Sequence, residues 1–421
     1  MKISALNPGS ECALRSRLSL MLGALTVGAL VCTAGPAQAV TFQNIIDPLN
    51  PTFTQALGIN NAGTIVGYGN ATVFNGFQLV LPATFTRQNF PGADGGTQVL
   101  GISNAGTTVG FYIKGGVTNG FAQTAGTFTT VDQPGTAFNQ LLGINSAGTI
   151  VGYGNASVFN GFQLVLPANF TRQNVAGADG GTQVVGISGA GTTVGFSITG
   201  GVTSGFAQTA GTFTTVNQPG TAFNQLLGIN QLGTVAAGYS STDPAGATLQ
   251  KALTVGGGPS FASPTFTDIN ALLPANFNSQ ATGVNNAGEV VGFYQMADGN
   301  FSAFTDLGGS ITSFEAPGAT STQALGVNDL GQIVGDFVDD MGVMHGFLDI
   351  GGVFSTLDPN GSTATTINGS NDLGTVVGFY VDADGNTIGT VGTTVPEPAS
   401  LLLLGTGLLG AGLLRRRQKH V

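Results

Sequence analysis

Side chains able to do acid–base or metal chemistry are scarce in this chain. Histidine occurs twice, and His420 is the next-to-last residue. A Ser-His-Asp triad in the body of the chain would therefore have to use His345. That residue stands in His345-Gly346-Phe347, a slot filled elsewhere by Asn119-Gly120-Phe121 and Ser302-Ala303-Phe304, so packing is the competing reading. Both cysteines, Cys12 and Cys32, lie near the start, so no zinc site or disulfide is expected once that segment is removed. Paired carboxylates could serve a glycosidase. The acids, however, cluster with glycine and asparagine, as in Asp298-Gly299-Asn300 and Asp339-Asp340-Met341-Gly342, which are hairpin-turn compositions. Asp382, Asp384 and Asn386 form Asp-x-Asp-Gly-Asn, whose oxygens admit calcium, although the twelfth-position Glu of an EF-hand loop is missing. A plain turn is the alternative, and no other cofactor is expected. The amides are more regular. Gln55, Gln98, Gln140, Gln183, Gln225, Gln280 and Gln323 each stand three residues before a recurring glycine, and Thr366 replaces the eighth. Such amides could bind sugar hydroxyls, or satisfy backbone groups between structural units.

The elements that position these residues are repeats. The phrase GINNAGTIVGY at Gly58 returns, degraded, at Gly101, Gly143, Gly186, Gly228, Gly283, Gly326 and Gly369. Successive spacings are 43, 42, 43, 42, 55, 43 and 43 residues. A period in the low forties marks repeat folds, in which one unit cannot bury its own apolar face. The 69 glycines and a charged fraction of only 8% suit short strands and tight turns, and argue against solvated disorder.

Gln55 to Gly92 shows one unit. QALGIN reads as a strand, Asn60-Asn61-Ala62-Gly63 as a tight turn, and TIVGY as a second strand. NGFQLV and TFTRQNF supply a third and a fourth, and Pro91-Gly92 ends the unit. Four strands in about 42 residues fit a propeller blade buried on both faces. On this reading Gly58 and its equivalents let backbones crowd near the axis, where the innermost strand is the nearly continuous apolar one. The six tyrosines, all at the end of second strands, are expected to pack between blades.

Counting strands adds a constraint. First-plus-second pairs and third strands number eight each, whereas the first fourth-strand candidate, TFQNIID at Thr41, precedes any motif. The last unit lacks a fourth strand. An all-β, eight-bladed β-propeller with terminal strand closure accounts for that offset; a linear β-repeat solenoid is the alternative. The expected domain covers residues 40–394.

Both ends read as addresses. Lys2, Arg15 and Arg17 precede the apolar run Leu18–Val31, and Ala37 and Ala39 occupy the −3 and −1 positions of a signal-peptidase site. Residues 1–39 are thus a helical signal peptide for the Sec translocon and signal peptidase. At the other end, Val395-Pro396-Glu397-Pro398 precedes the apolar stretch 399–414, which is shorter than the ~20 residues of a comfortable span. Arg415, Arg416 and Arg417 open a basic tail, residues 415–421, that stays cytoplasmic. These three parts in this order resemble the PEP-CTERM sorting signal. The resemblance implies recognition by an exosortase, a membrane cysteine transpeptidase, with processing near Pro-Glu-Pro. It further implies a transient transmembrane anchor, then display on the surface or in the extracellular matrix of a Gram-negative bacterium. A permanent single-span anchor is the alternative.

The repeats resemble the HAF family of extracellular repeats over most of Gln55–Gly392, with the naming tripeptide mostly altered and Lys251-Ala252-Leu253 departing furthest. That resemblance implies export and β structure. Between Val40 and Val395 there are 19 acidic and 4 basic residues, so nucleic acid is not an expected partner. The expected role is a non-enzymatic structural or binding module for exopolysaccharide or surface partners. The alternative is a secreted propeller-type polysaccharide hydrolase or lyase.

Overall fold

The computed structural model describes residues 40–394, except 50, 71, 83, 167–168, 247–248 and 270–277. The signal peptide, the span 399–414 and the processing residues Ala37, Ala39, Val395–Pro398 and Arg415–Arg417 lie outside the described residues. Among the described residues no helix is long and apolar enough to cross a membrane.

Strands dominate, and they come in fours. The first repeat runs Thr54–Ile59, Thr64–Asn70, Phe74–Val80 and Thr84–Arg87, each antiparallel to its predecessor. The same order recurs down to Ser362–Ser370, Thr375–Asp382 and Thr387–Thr394. The opening strand Val40–Ile45 pairs antiparallel with Thr387–Thr394, from Val40 opposite Thr394 to Ile45 opposite Gly389. The four-residue fourth strand is shorter than TFTRQNF because it ends at Arg87; Gln88 still donates its amide to Gly76.

The turn between first and second strands follows from its residues. Gly63 sits at φ 78°, and its amide donates to the Asn60 carbonyl. The Asn60 side-chain oxygen accepts from the Thr64 amide at 2.8 Å, an Asx-type closure. The equivalent glycine in every repeat has φ between 72° and 87°, a region costly for a side chain.

The packing corrects one expectation and refines another. The strand buried on both faces is the second: Thr64–Gly67 is continuously buried, whereas Leu57–Ile59 of the inner strand is only half-buried. Crowding of the motif glycines holds in part: a Cβ on Gly283 or Gly326 would lie 3.2 Å from the backbone of the next repeat, but the tightest glycines belong to the second strand. A Cβ on Gly58 would meet only a Val66 methyl, at 3.9 Å, whereas one on Gly67 would lie 2.0 Å from the Gln55 carbonyl oxygen. The inner strand carries a bulge between Ala56 and Gly58, and the two strands meet most closely there. Gly110, Gly152, Gly195, Gly238, Gly292, Gly335 and Gly378 meet the same obstacle within 2.1 Å.

The core lies between neighbouring repeats. Val109, Ala122 and Val131 of the second pack on Leu141, Ile150 and Phe162 of the third. The tripeptide phenylalanine supplies the largest buried side chain in six repeats: Phe77, Phe121, Phe162, Phe206, Phe304 and Phe347. It faces the crowded glycine across the sheet, as in Gly67–Phe77, so each position requires the other. Ile45 and Val391, from the two ends of the chain, share one cluster with Ala56, Ile65, Phe77 and Val377.

Candidate functional sites

The seven glutamines occupy equivalent places in their repeats. Each lies near the start of an inner strand and faces a second-strand residue, Tyr68 in the case of Gln55. Tyr68 donates its hydroxyl to Gln55 Oε1, and Tyr153 donates to Gln140 Oε1, both at 2.9 Å. These amides are tied into their own sheet. Gln280 and Gln323 differ: they line a common cavity of about 390 Å³.

The opposite ends of the inner strands converge. One cavity of about 450 Å³ is lined by the turns of seven repeats, among them Asn61, Asn104, Ser146, Gln231, Asp329 and Asp372. Its carboxylates are committed to neighbouring turns. Asp329 accepts from the backbone and side-chain amides of Asn286, at 2.8 and 2.6 Å. Asp372 accepts from the Asp329 backbone and the Asn61 side chain, at 3.0 and 2.6 Å.

Beneath these residues the asparagine of the Gly-Ile-Asn phrase proves to have a second role that the sequence reading missed. Its side-chain Nδ2 donates to the carbonyl of the corresponding residue one repeat on: Asn60 to Ser103 (2.9 Å), Asn145 to Ser188 (3.0 Å) and Asn230 to Asn285 (3.3 Å). The series continues from Asn285 to Asn328, from Asn328 to Asn371, and from Asn371 back to Asn60 at 3.2 Å. The exceptions were visible in the sequence, because Ser103 and Ser188 replace asparagine and are too short to make the same reach.

His345 lies between two carboxylates. Nδ1 is 2.6 Å from Asp358 Oδ2, Nε2 is 3.3 Å from Asp339 Oδ2, and the ring stacks on Phe337. Both ring nitrogens are thus occupied by acids, which leaves neither to activate a hydroxyl nucleophile. Burial works against the charged ring, but its bonds to Asp358 and Asp339 outweigh that and raise its pKa. The stabilisation is therefore complete below the ordinary value of 6.5 and is lost as pH rises through the raised one. Replacing His345 by Gln should lower the melting temperature at pH 5 and leave it nearly unchanged at pH 9. An equal loss at both pH values would contradict the ion-pair account.

Asp382 closes a hairpin. Its Oδ1 accepts from the amides of Asp384 and Asn386, and its Oδ2 from the Asn386 side chain. Asp339 does the same for Met341 and Val343. These are turn-closing bonds, and among the described residues no group of three or more His, Cys, Asp or Glu is placed to hold a metal.

With the fold and these contacts in place, the comparisons with known proteins divide in two. Residues 394–418 match the PEP-CTERM protein-sorting motif. The chain carries this sorting motif at its C-terminus. The motif implies processing by exosortase, and export through a membrane-anchored intermediate. It starts at Thr394, where the last strand ends. No curated protein matches the chain.

Solved structures resemble it in fold. The structure reported under "Structural and Mechanistic Analysis of Two Prolyl Endopeptidases" superposes with a TM-score of 0.50 at 12% identity, covering 80% of this chain and 54% of that one. The β-propeller domain of the Trilobed protease from Pyrococcus furiosus gives 0.44 at 8% identity, covering 73% and 99%. Streptogramin B lyase gives 0.43 at 14% identity, covering 72% and 95%. At such identities the likeness concerns the fold alone: all-β, of the propeller kind.

Proposed function

We propose that this chain is an exported, exosortase-processed surface protein that folds as a closed eight-bladed propeller and acts as a non-enzymatic binding or structural module. The observation that carries this reading is the sorting motif at residues 394–418. Closure is supported by the pairing of Val40–Ile45 with Thr387–Thr394 and by the Asn371-to-Asn60 bond. Export and closure also fit together. Signal-peptidase cleavage after Ala39, read at Ala37 and Ala39, makes Val40 the first mature residue, and Val40 faces Thr394. Exosortase would act a few residues beyond, at Val395-Pro396-Glu397-Pro398, with Arg415, Arg416 and Arg417 retained on the cytoplasmic side. Both processing steps then fall next to strands that are paired in one sheet, where ends fray least. The module would sit in the outer envelope or the exopolysaccharide matrix, with exopolysaccharide or a surface glycan as its ligand.

Intact-mass analysis of the protein recovered from the cell surface or medium tests the processing. The expected species begins at Val40 and lacks residues 399–421. Substituting Pro396 and Pro398 with Ala should leave uncut chain in the inner membrane. A released protein that still ends at Val421 would refute the reading.

A further inference from the structure

The repeats diverge where their inner strands begin. In the first, third and fifth repeats a phenylalanine stands two residues before the glutamine. It packs on the tyrosine that faces that glutamine across the sheet. Ring centroids are 6.0 Å apart for Phe53–Tyr68, 6.0 Å for Phe138–Tyr153 and 5.5 Å for Phe223–Tyr239. In the second and fourth repeats Gly96 and Gly181 stand at that position and phenylalanines, Phe111 and Phe196, face the glutamine; the sixth has its own pair. The residue facing Gln280 is Phe293, and Asn278 takes the place of the covering phenylalanine.

Beside Asn278 lies a cavity of about 390 Å³ lined by Phe293, Phe301, Gln250, Gln280, Gln295 and Gln323. That volume falls in the ~300–1,000 Å³ range of small-molecule sites. The two phenylalanines meet edge to face, 5.2 Å apart at 80°, and so form a floor and a side. Phe301 is anchored to the seventh repeat by its amide, which donates to Ser321 Oγ at 3.1 Å. Phe293 has no hydroxyl to hold Gln280 as Tyr68 holds Gln55. The Gln280 and Gln323 side-chain amides have no hydrogen-bond partner among the described residues.

We propose that this cavity binds one neutral pyranose ring of a polysaccharide, seated where its sister repeats place a phenylalanine. The sugar's apolar face would lie on the Phe293–Phe301 corner, whose aromatic surface suits a flat C–H face. Each hydroxyl both donates and accepts, as each glutamine amide does, so Gln280 and Gln323 match hydroxyls in either sense. No charged side chain lines the cavity, which selects a neutral sugar over a uronate. The proposal rests on the binding role given above.

Saturation-transfer NMR on the full-length chain in detergent tests it, using neutral methyl pyranosides of the gluco, galacto and manno series and methyl glucuronide. At least one neutral pyranoside should bind, and the glucuronide should not. Asn278→Phe restores a residue that three sister repeats accommodate, so it should fold as the parent does while weakening binding at least tenfold. Gln323→Ala should weaken it similarly, and Gln55→Ala should not. Unchanged binding in Asn278→Phe would overturn the site while leaving the glycan-binding role standing. Failure of every pyranoside, with polysaccharide still retained on a glycan array, would also overturn the site. Failure of both would remove the binding role itself.

Discussion

Cutting the opening strand should be the most damaging change available to this protein. A chain lacking Val40–Ile45 should lose cooperative unfolding in its last repeat and aggregate through the bared edge of Thr387–Thr394. Six residue pairs are lost with that strand. An unpaired, exposed edge strand is a ready template for association. The strand also supplies Ile45, which is 1% exposed and packs in the cluster shared by the first and last repeats. Ile45→Ala isolates that contribution and should cost about 2–5 kcal/mol, through lost burial plus the cavity left behind. Val80→Ala, at a position 45% exposed, should change stability by less than about 0.5 kcal/mol. Urea unfolding followed by circular dichroism measures both, since the chain has no tryptophan to report by fluorescence. Equal effects of the two substitutions would contradict the shared core.

The second large effect concerns a buried acid. Asp336 stands where the other repeats place an aromatic ring, such as Tyr68, Phe293 or Phe379, facing the inner-strand position. It is 7% exposed. Burial pushes its carboxyl up from 3.8 to about 6, and a hydrogen bond with Thr366 only partly offsets this. The folded protein therefore holds the proton more tightly than the unfolded chain. Stability linked to it is fully present below pH 3.8 and is lost as pH rises through about 6. The loss is at most about 3 kcal/mol, from roughly two pKa units at 1.36 kcal/mol each. Asp336→Asn keeps the shape and removes the titration. It should raise stability at pH 8 by about 1–3 kcal/mol and flatten the decline between pH 4 and 6. Melting curves across that range provide the check, and a variant less stable than the parent at pH 8 would contradict the account.

The outline of the fold was legible because it is written eight times. Asn60, Gly63 and their copies announced a turn, and the strand before Gly58 announced that the sequence begins out of phase with its repeats. What could not be read was anything that depends on how closely two backbones approach. Gly67 recurs in every copy as visibly as Gly58 does, yet only the bulge at Ala56–Gly58 shows that Gly67 is the one with no room for a Cβ. Asn60 looked like a turn former alone. Its donation to Ser103 runs between repeats, and no local pattern encodes that direction. The glutamines were found by spacing, which gives no sign of their differing surroundings. Their environments differ through residues such as Tyr68, Phe293 and Asn278, which the spacing of the glutamines does not weigh. His345 stood out by its rarity, but its two acid partners, Asp339 at the end of one strand and Asp358 just after another, are brought together only by the folded sheet.

The central claim is that the two ends of the mature chain lie side by side in one sheet. Thr41 and Thr393 face each other there, both exposed. The two native cysteines precede Val40, so in a chain starting at Val40 a pair introduced by Thr41→Cys and Thr393→Cys would be the only thiols. Directly opposed antiparallel residues lie within disulfide reach. Under mild oxidation the double variant should form an intramolecular disulfide in nearly every molecule, seen as a mobility shift on non-reducing gels and a monomer mass two protons lighter. Free thiols throughout, or disulfides only between molecules, would mean the ends are apart and the repeats form an open array.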